Sequence, residues 1–164
     1  MTRTEEKYKE VYKEHYPKVM RLCLGYVGGD HALAKDLTQE IFIKVWENLK
    51  QFRNESSIGT WIYRISVNTC LAQLRNQKKN LKNYDIGAIP EQLEEDSEQD
   101  RGQMLSQLYT CINKLTETNK AIILLELEGL PQKEISDIIG IKHEAIRTRI
   151  HRIKSQLTKC ANNE

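Results

Sequence analysis

The last part of this 164-residue chain carries a dense set of hydrogen-bond donors, which are Arg147, Thr148, Arg149, His151 and Arg152. On a helix, where successive residues turn by about 100°, the apolar residues 146, 150, 153 and 157 form one narrow stripe, and the donors lie on or beside the opposite arc. Arginine can donate two hydrogen bonds to guanine, and hydroxyl groups and cations bind bases and phosphates. The pattern indicates a helix that reads the major groove of DNA, with a solvated basic surface as the alternative.

A second set of cationic and aromatic residues lies in the first half of the chain. Helical spacing places Trp61, Arg64, Asn68 and Arg75 on one strip of a predicted helix. Cations bind phosphates, and aromatic or amide groups meet bases, so the strip fits a nucleic-acid strand. The alternative is that Trp61 belongs to the core and the charged side chains are solvated.

A third pattern lies on the helix predicted between these residues and the N-terminus. Its core face is accounted for by other apolar residues, yet Ile43 falls among the polar side chains of Asp36, Gln39, Glu40 and Glu47. One exposed apolar residue is ordinary in a soluble protein. Ringed by acidic and amide groups, Ile43 is also compatible with a protein-docking surface, and both interpretations stay open on geometry alone.

Signatures of catalysis and of metal binding are missing from the sequence. There is no phosphate-binding glycine loop, no dinucleotide-binding glycine motif and no zinc-protease helix motif. The four cysteines are separated by 47, 41 and 49 residues, so no pair has zinc-ligand or redox spacing, and we expect them to be reduced core residues. The sequence predicts a protein that acts by binding, without a cofactor or metal.

The elements that must position these residues are all predicted to be helices. Few aromatic, glycine and proline residues argue against an all-β fold and against disorder. Pro17 is expected to break or kink the first helix, and residues 140–142 form a glycine turn inside a helix-turn-helix. The predicted helices cover residues 8–26, 31–52, 60–79, 104–111, 116–128, 132–139 and 143–159.

The charge distribution divides the chain into three parts. Residues 1–83 carry fifteen basic and nine acidic side chains, residues 84–110 carry one and seven, and residues 111–164 carry nine and seven. We therefore predict an all-α fold with two small helical domains, residues 1–80 and 104–164, joined by a flexible acidic linker at 81–103. No apolar run is long enough to span a bilayer and no signal-peptide core is present, which predicts a cytoplasmic protein that is not integral to a membrane.

Several motifs occur in an order that resembles a known family. They are DLTQEIF at 36–42 with Val45-Trp46, Phe52-Arg53, TWIYRI at 60–65 with Asn68, and the segment from Leu115 to Ile153. Together they resemble the bacterial RNA polymerase sigma factors, and within these the small extracytoplasmic-function group. The likeness covers nearly the whole chain apart from the acidic segment.

The resemblance implies a function in promoter recognition and a role for each set of residues. The chain would direct core RNA polymerase to specific promoters and help to melt the minus-ten element. Docking on the clamp coiled-coil would use Asp36, Gln39, Glu40 and Ile43. Binding of the minus-ten element would use Phe52, Arg53, Asn54, Ser56, Trp61, Arg64, Asn68 and Arg75. Reading of the minus-thirty-five element would use Arg147, Thr148, Arg149, His151 and Arg152. The implied partners are core polymerase, through its clamp coiled-coil and flap, promoter DNA and an anti-sigma factor.

Two departures and two alternatives limit this interpretation. The family often has an acid where this chain has Ala72 and a small residue where it has Glu144, so the promoter sequence is not predicted. A conventional DNA-binding regulator would need a sensing half, whereas the first 80 residues indicate three helices. A helical adaptor that binds polymerase but not DNA would keep its activity when Arg147, Arg149 and Arg152 are neutralised.

Overall fold

A computed structural model describes residues 2–81 and 99–163 of the chain. Within these ranges the backbone is helical, without a strand, and a short 3-10 turn, Leu49–Gln51, follows the second helix. The predicted all-α class is confirmed. The helices are α1 (Arg3–Tyr26), α2 (His31–Asn48), α3 (Ile58–Leu81), α4 (Gln99–Asn113), α5 (Glu117–Leu127), α6 (Gln132–Ile139) and α7 (His143–Asn163).

Local sequence explains where the first helices begin and end. Thr2 and Glu5 form a reciprocal capping box at the start of α1, and the Asp30 side chain accepts from the Leu33 amide to cap α2. Pro17 does not end α1, which runs on to Tyr26 and corrects the expected break. The second helix, predicted to extend to residue 52, ends at Asn48 because the chain tightens there into the 3-10 turn.

Helices α1, α2 and α3 pack together as an N-terminal unit. The apolar face predicted for α2 is buried, including Ile41, Phe42 and Val45, and it packs against α1 and α3. Aromatic rings from α1 extend this core, since Tyr12 meets Phe42 edge-on with ring centroids 4.9 Å apart. The unit therefore fixes the outward faces of α2 and α3, which carry two of the predicted sites.

Helices α4 to α7 form a C-terminal unit that contains the helix-turn-helix. Helix α4 begins at Gln99, so the end of the segment predicted as linker is helical, while residues 82–98 of that segment lie outside the described residues. Gly140 ends α6 with a φ of 85°, a left-handed conformation that glycine adopts without strain. Ile146 and Ile150 of α7 are buried, as the apolar stripe predicts.

The two units share one continuous hydrophobic core. Helix α1 packs against α4 and α5, and α3 packs against α6. A close approach at Gly25 allows this arrangement, because a Cβ atom there would overlap the Leu124 side chain of α5. The two predicted domains are thus in direct contact through the C-terminal end of α1 and part of α3.

Candidate nucleic-acid interface

The turn between α6 and α7 sets the direction of the predicted reading helix. The Ser136 hydroxyl donates to the Ile141 carbonyl, and the Gly140 amide donates to the Ser136 carbonyl at 2.8 Å. These bonds hold the turn while Ile146 anchors α7 in the core. The opposite side of α7 is left exposed to solvent.

Four of the five predicted reading residues lie on this exposed side: Arg147, Thr148, His151 and Arg152. Arg149 differs, because it is half-buried and its Nη1 donates to the Asn119 Oδ1 of α5 at 3.2 Å. Arg149 therefore also fixes α7 against α5. Nearby, Lys154 forms an ion pair with Glu126 of α5 at 2.9 Å, which adds a second polar tie between the two helices.

The loop of residues 52–57 presents polar groups beside the start of α3. Phe52 and Trp61 pack with ring centroids 5.0 Å apart and close the base of the loop. Arg53 and Asn54 are exposed, and Asn54 has a left-handed φ of 59°. Ser56 is half-buried and donates to the Ser57 carbonyl. The loop has a defined shape with exposed donors beside an aromatic pair.

The strip predicted on α3 faces the C-terminal unit in this arrangement. Arg64 Nη2 donates to the backbone carbonyl of Asp137 on α6 at 3.5 Å. Arg75 Nε lies 3.9 Å from a carboxylate oxygen of Glu117 on α5, and Asn68 lines a cleft between α3, α5 and α6. The strip is therefore brought together, but it is partly covered by the unit that carries the reading helix.

Further polar contacts join the two units around this strip. The Thr60 hydroxyl donates to the Glu134 carboxylate at 3.1 Å. Arg21 of α1 donates from Nε to the Glu128 carboxylate at 3.0 Å. Burial, together with the same carboxylate, raises the pKa of Tyr63 to about 12, so the phenol stays neutral. Acidic groups of the C-terminal unit thus lie against polar and cationic groups of the N-terminal unit.

The predicted docking face of α2 is exposed. Ile43 has 57% of its surface accessible, and Asp36, Gln39 and Glu40 beside it are also exposed. Glu40 forms an ion pair with Lys44 at 3.6 Å, one turn along the same helix. The structure brings these four residues together on one face of the N-terminal unit, away from the contact between the units.

Models of known families match both halves of the chain in order. Sigma-70 region 2 matches residues 11–80, and Sigma-70, region 4 matches residues 105–157. The chain is also 33% identical over 156 residues to an ECF RNA polymerase sigma-E factor of Haemophilus influenzae, of which it covers 79%. The chain belongs to the extracytoplasmic-function sigma factors. As a member of this family it is a transcription initiation factor that recognises promoters and binds DNA.

Two other proteins to which this sigma factor is similar are named as members of the same family. An ECF RNA polymerase sigma-E factor of Escherichia coli is 32% identical over 153 residues, which is 85% of this chain and 78% of that protein. The ECF RNA polymerase sigma factor SigE of Mycolicibacterium smegmatis is 31% identical over 160 residues, and the match spans 92% of this chain but 60% of that longer protein.

Solved structures show the same fold. The sigma factor RpoE of Bartonella quintana, in complex with the anti-sigma factor NepR, superposes with a TM-score of 0.74 at 19% identity, covering 96% of this chain and 98% of that chain. CnrH, in complex with the cytosolic domain of CnrY, gives a TM-score of 0.72 at 17% identity, covering 98% and 90% of the two chains.

Two exposed aromatic residues lie beside the predicted docking face of this sigma factor. Trp46 is 42% exposed and lies one turn from Ile43, and Tyr12 of α1 is 40% exposed. The ring of Tyr8 meets Trp46 edge-on at 5.1 Å. The sequence carries a signal for Trp46, since residues 43 and 46 are three apart on a helix and share a face.

No helix in the described part of the sigma factor combines the length and apolar character needed to cross a bilayer. Within residues 2–81 and 99–163, histidine, cysteine and acidic side chains form no group that could hold a metal ion.

Proposed function

We propose that this sigma factor reads the minus-thirty-five element with the exposed face of α7. The observation that carries the proposal is the combination of Arg147, Thr148, His151 and Arg152 on one solvent-facing side of the helix that follows the Gly140 turn. Arginine and hydroxyl donors on such a face suit base edges and phosphates in the major groove. Arg149 contributes from the flank and keeps its contact with α5.

The same proposal assigns the minus-ten element to the N-terminal unit, residues 1–80. Arg53, Asn54 and Ser56 lie beside the Phe52 and Trp61 ring pair, which suits capture of an unstacked base. Unpairing costs a few kcal/mol, and a pocket with cationic surroundings offsets that cost when it receives the base. The strand then continues along Arg64, Asn68 and Arg75.

The α3 strip must be uncovered before it meets DNA. In the arrangement described, Arg64 and Arg75 contact α6 and α5 of residues 104–164. Binding to polymerase separates the two units, with the acidic segment 81–103 as the connection between them. When the polymerase holds the two weak DNA-binding surfaces at a fixed separation, binding of one surface raises the effective concentration of promoter DNA at the other. We expect the free protein to bind promoter DNA weakly and the holoenzyme to bind it specifically.

The polymerase contact in this proposal is the exposed face of α2. Ile43 supplies an apolar centre, and Asp36, Gln39 and Glu40 supply the polar rim that protein interfaces have. The partners are the clamp coiled-coil for this face and the flap for the C-terminal unit. The factor acts in the cytoplasm by binding, without catalysis, and an anti-sigma factor restrains it, as the relatives in complex with NepR and with CnrY suggest.

Run-off transcription from a genomic promoter library tests the proposal. Core bacterial polymerase is assayed alone, with the sigma factor, with an Arg147→Ala/Arg152→Ala variant and with Lys159→Ala, which removes an exposed cation from the same helix beyond the reading face. We expect new start sites with the wild type and with Lys159→Ala, and fewer with the double variant. No new start sites, while the protein still binds DNA alone, would favour a conventional regulator.

A further inference from the structure

Two cysteines that are remote in the sequence meet in the C-terminal unit. Cys111 of α4 is disulfide-bonded to Cys160 near the end of α7, and their Cα atoms lie 5.9 Å apart. The expectation that all four cysteines are reduced core residues is wrong for this pair. The spacing of the two cysteines along the sequence did not predict this bond, because the packing of α4 against α7 brings them together.

The two sulfur atoms differ in their access to solvent. Cys111 is 3% exposed, whereas Cys160 is half-buried, two residues before the exposed Asn162. A small oxidant can therefore reach Cys160 first. Cys111 lies behind it, placed to attack the sulfur of Cys160 in a second step. An accessible cysteine next to a resolving cysteine is the arrangement found in redox sensors.

The second cysteine pair of the chain provides an internal contrast. Cys23 of α1 and Cys70 of α3 lie with their sulfur atoms 3.8 Å apart, unbonded and both buried in the core of the N-terminal unit. The hydrogen bond to Cys23 and burial raise the pKa of the Cys70 thiol well above its usual range. This pair is sealed from oxidants, although its sulfur atoms are close.

The position of the bond defines what it can affect. The covalent ring from residue 111 to residue 160 contains α5, α6 and the reading part of α7. Cys160 lies about 12 Å along the helix axis from Arg152, at about 1.5 Å per residue. A bond at this place restrains the unfolded chain and leaves the exposed reading side chains unchanged.

We propose that Cys111 and Cys160 are a redox-responsive pair, and that their oxidation by a low-molecular-weight disulfide clamps the helix-turn-helix in its active fold. The Cys160 thiolate attacks glutathione disulfide and releases one glutathione thiolate. Cys111 then loses its proton and attacks the Cys160 sulfur, which releases the second. In sum, two protein thiols are oxidised to one disulfide and one glutathione disulfide is reduced to two thiols.

Peptide mapping of the full chain tests the chemistry. The protein is reduced, freed of reductant, equilibrated over a range of glutathione disulfide to glutathione ratios, alkylated and digested with trypsin. We expect residues 102–114 and 160–164 to become linked as the ratio rises, while Cys23 and Cys70 stay unlinked. Cys160→Ser is expected to lose the linked peptide completely. Because Cys160 is half-buried, Cys160→Ser is expected to fold more readily than a substitution of the buried Cys111. Cys111→Ser is the second variant, and it should also lose the linked peptide.

Urea unfolding and transcription then test the consequence. Oxidation is expected to shift the urea midpoint of the protein upward in the wild type but not in Cys160→Ser, and to leave promoter-directed transcription unchanged. The proposal is overturned by absence of the linked peptide, by preferential linkage of Cys23 to Cys70, by equal midpoints, or by loss of transcription in the oxidised form alone. If neither the oxidised nor the reduced protein supports transcription, the proposed function fails. The peptide map and the urea midpoints then still decide the redox proposal.

Discussion

Lys120 ties the two units of the sigma factor together, and its removal measures how strongly they are held. The side chain is 6% exposed, and its Nζ donates to the Tyr26 carbonyl at 2.7 Å and to the Asn113 Oδ1 at 2.6 Å. It also lies 5.6 Å from the centre of the Tyr26 ring. One ammonium thus links α5 to both α1 and α4.

The substitution Lys120→Met keeps an unbranched side chain of similar length and removes the ammonium. Each hydrogen bond from a charged donor contributes about 1.5–3 kcal/mol, and relief of the ammonium's desolvation offsets part of the loss. Only the bond to the Tyr26 carbonyl crosses from one unit to the other, so we expect the free energy that holds the units together to fall by about 2 kcal/mol, which is roughly a 30-fold change in an equilibrium constant.

Urea unfolding followed by two probes checks this prediction. Both tryptophans, Trp46 and Trp61, lie in the N-terminal unit, so their fluorescence reports that unit, whereas far-ultraviolet circular dichroism reports all helices. The wild-type curves should coincide, and those of Lys120→Met should separate. Lys114→Met, at an exposed lysine nearby, is the control and should behave as wild type. Coincident curves with a loss below about 1 kcal/mol would refute the reasoning.

Three further predictions concern the proposed surfaces and the N-terminal core. Arg147→Ala/Arg152→Ala should make the salt dependence of holoenzyme binding to promoter DNA shallower, by about 1.8 in the slope of log K against log salt if both cations bind phosphates. Binding measured at several salt concentrations checks this prediction, and an unchanged affinity and slope would contradict it. Ile43→Asp should abolish binding to core polymerase in a pull-down while changing the unfolding free energy by less than about 0.5 kcal/mol; Ala32→Asp, exposed on the same helix, is the matched control. Burial lowers the pKa of His15 below its usual 6.5, so the folded state binds fewer protons than the unfolded state. The contribution of His15 to stability is therefore full above pH 6.5 and declines as the pH falls through the lowered value. The urea midpoint of His15→Gln should lack this decline at low pH, and identical pH profiles for the two proteins would exclude the contribution.

Sequence periodicity predicted most of the fold because each helix carries its own apolar stripe. The stripe of Ile146, Ile150 and Ile153 on α7 and the face of Ile41, Phe42 and Val45 on α2 are buried as predicted. Helix ends were less accurate. Pro17 fits inside α1, and the chain after Asn48 changes to a 3-10 turn. Tertiary packing, which the local sequence does not reveal, determines where such a helix continues or ends.

Contacts between remote segments could not be predicted in the same way. Helical spacing predicts that Arg64, Asn68 and Arg75 form one strip, but nothing in that spacing indicates that α5 and α6 lie over it. The bond between Cys111 and Cys160 was missed for the same reason. Helical periodicity determines which side of a helix is apolar, and it does not determine which partner covers that side.

The shared core between the two units has a consequence for how the protein is stored. Separating the units would expose Leu124, Ile138 and Ile139, which pack in or against that core. An open chain in solution would present a contiguous apolar surface and aggregate. We therefore expect the closed arrangement to protect the unbound protein from aggregation, and any partner that opens it to cover the same apolar residues in turn.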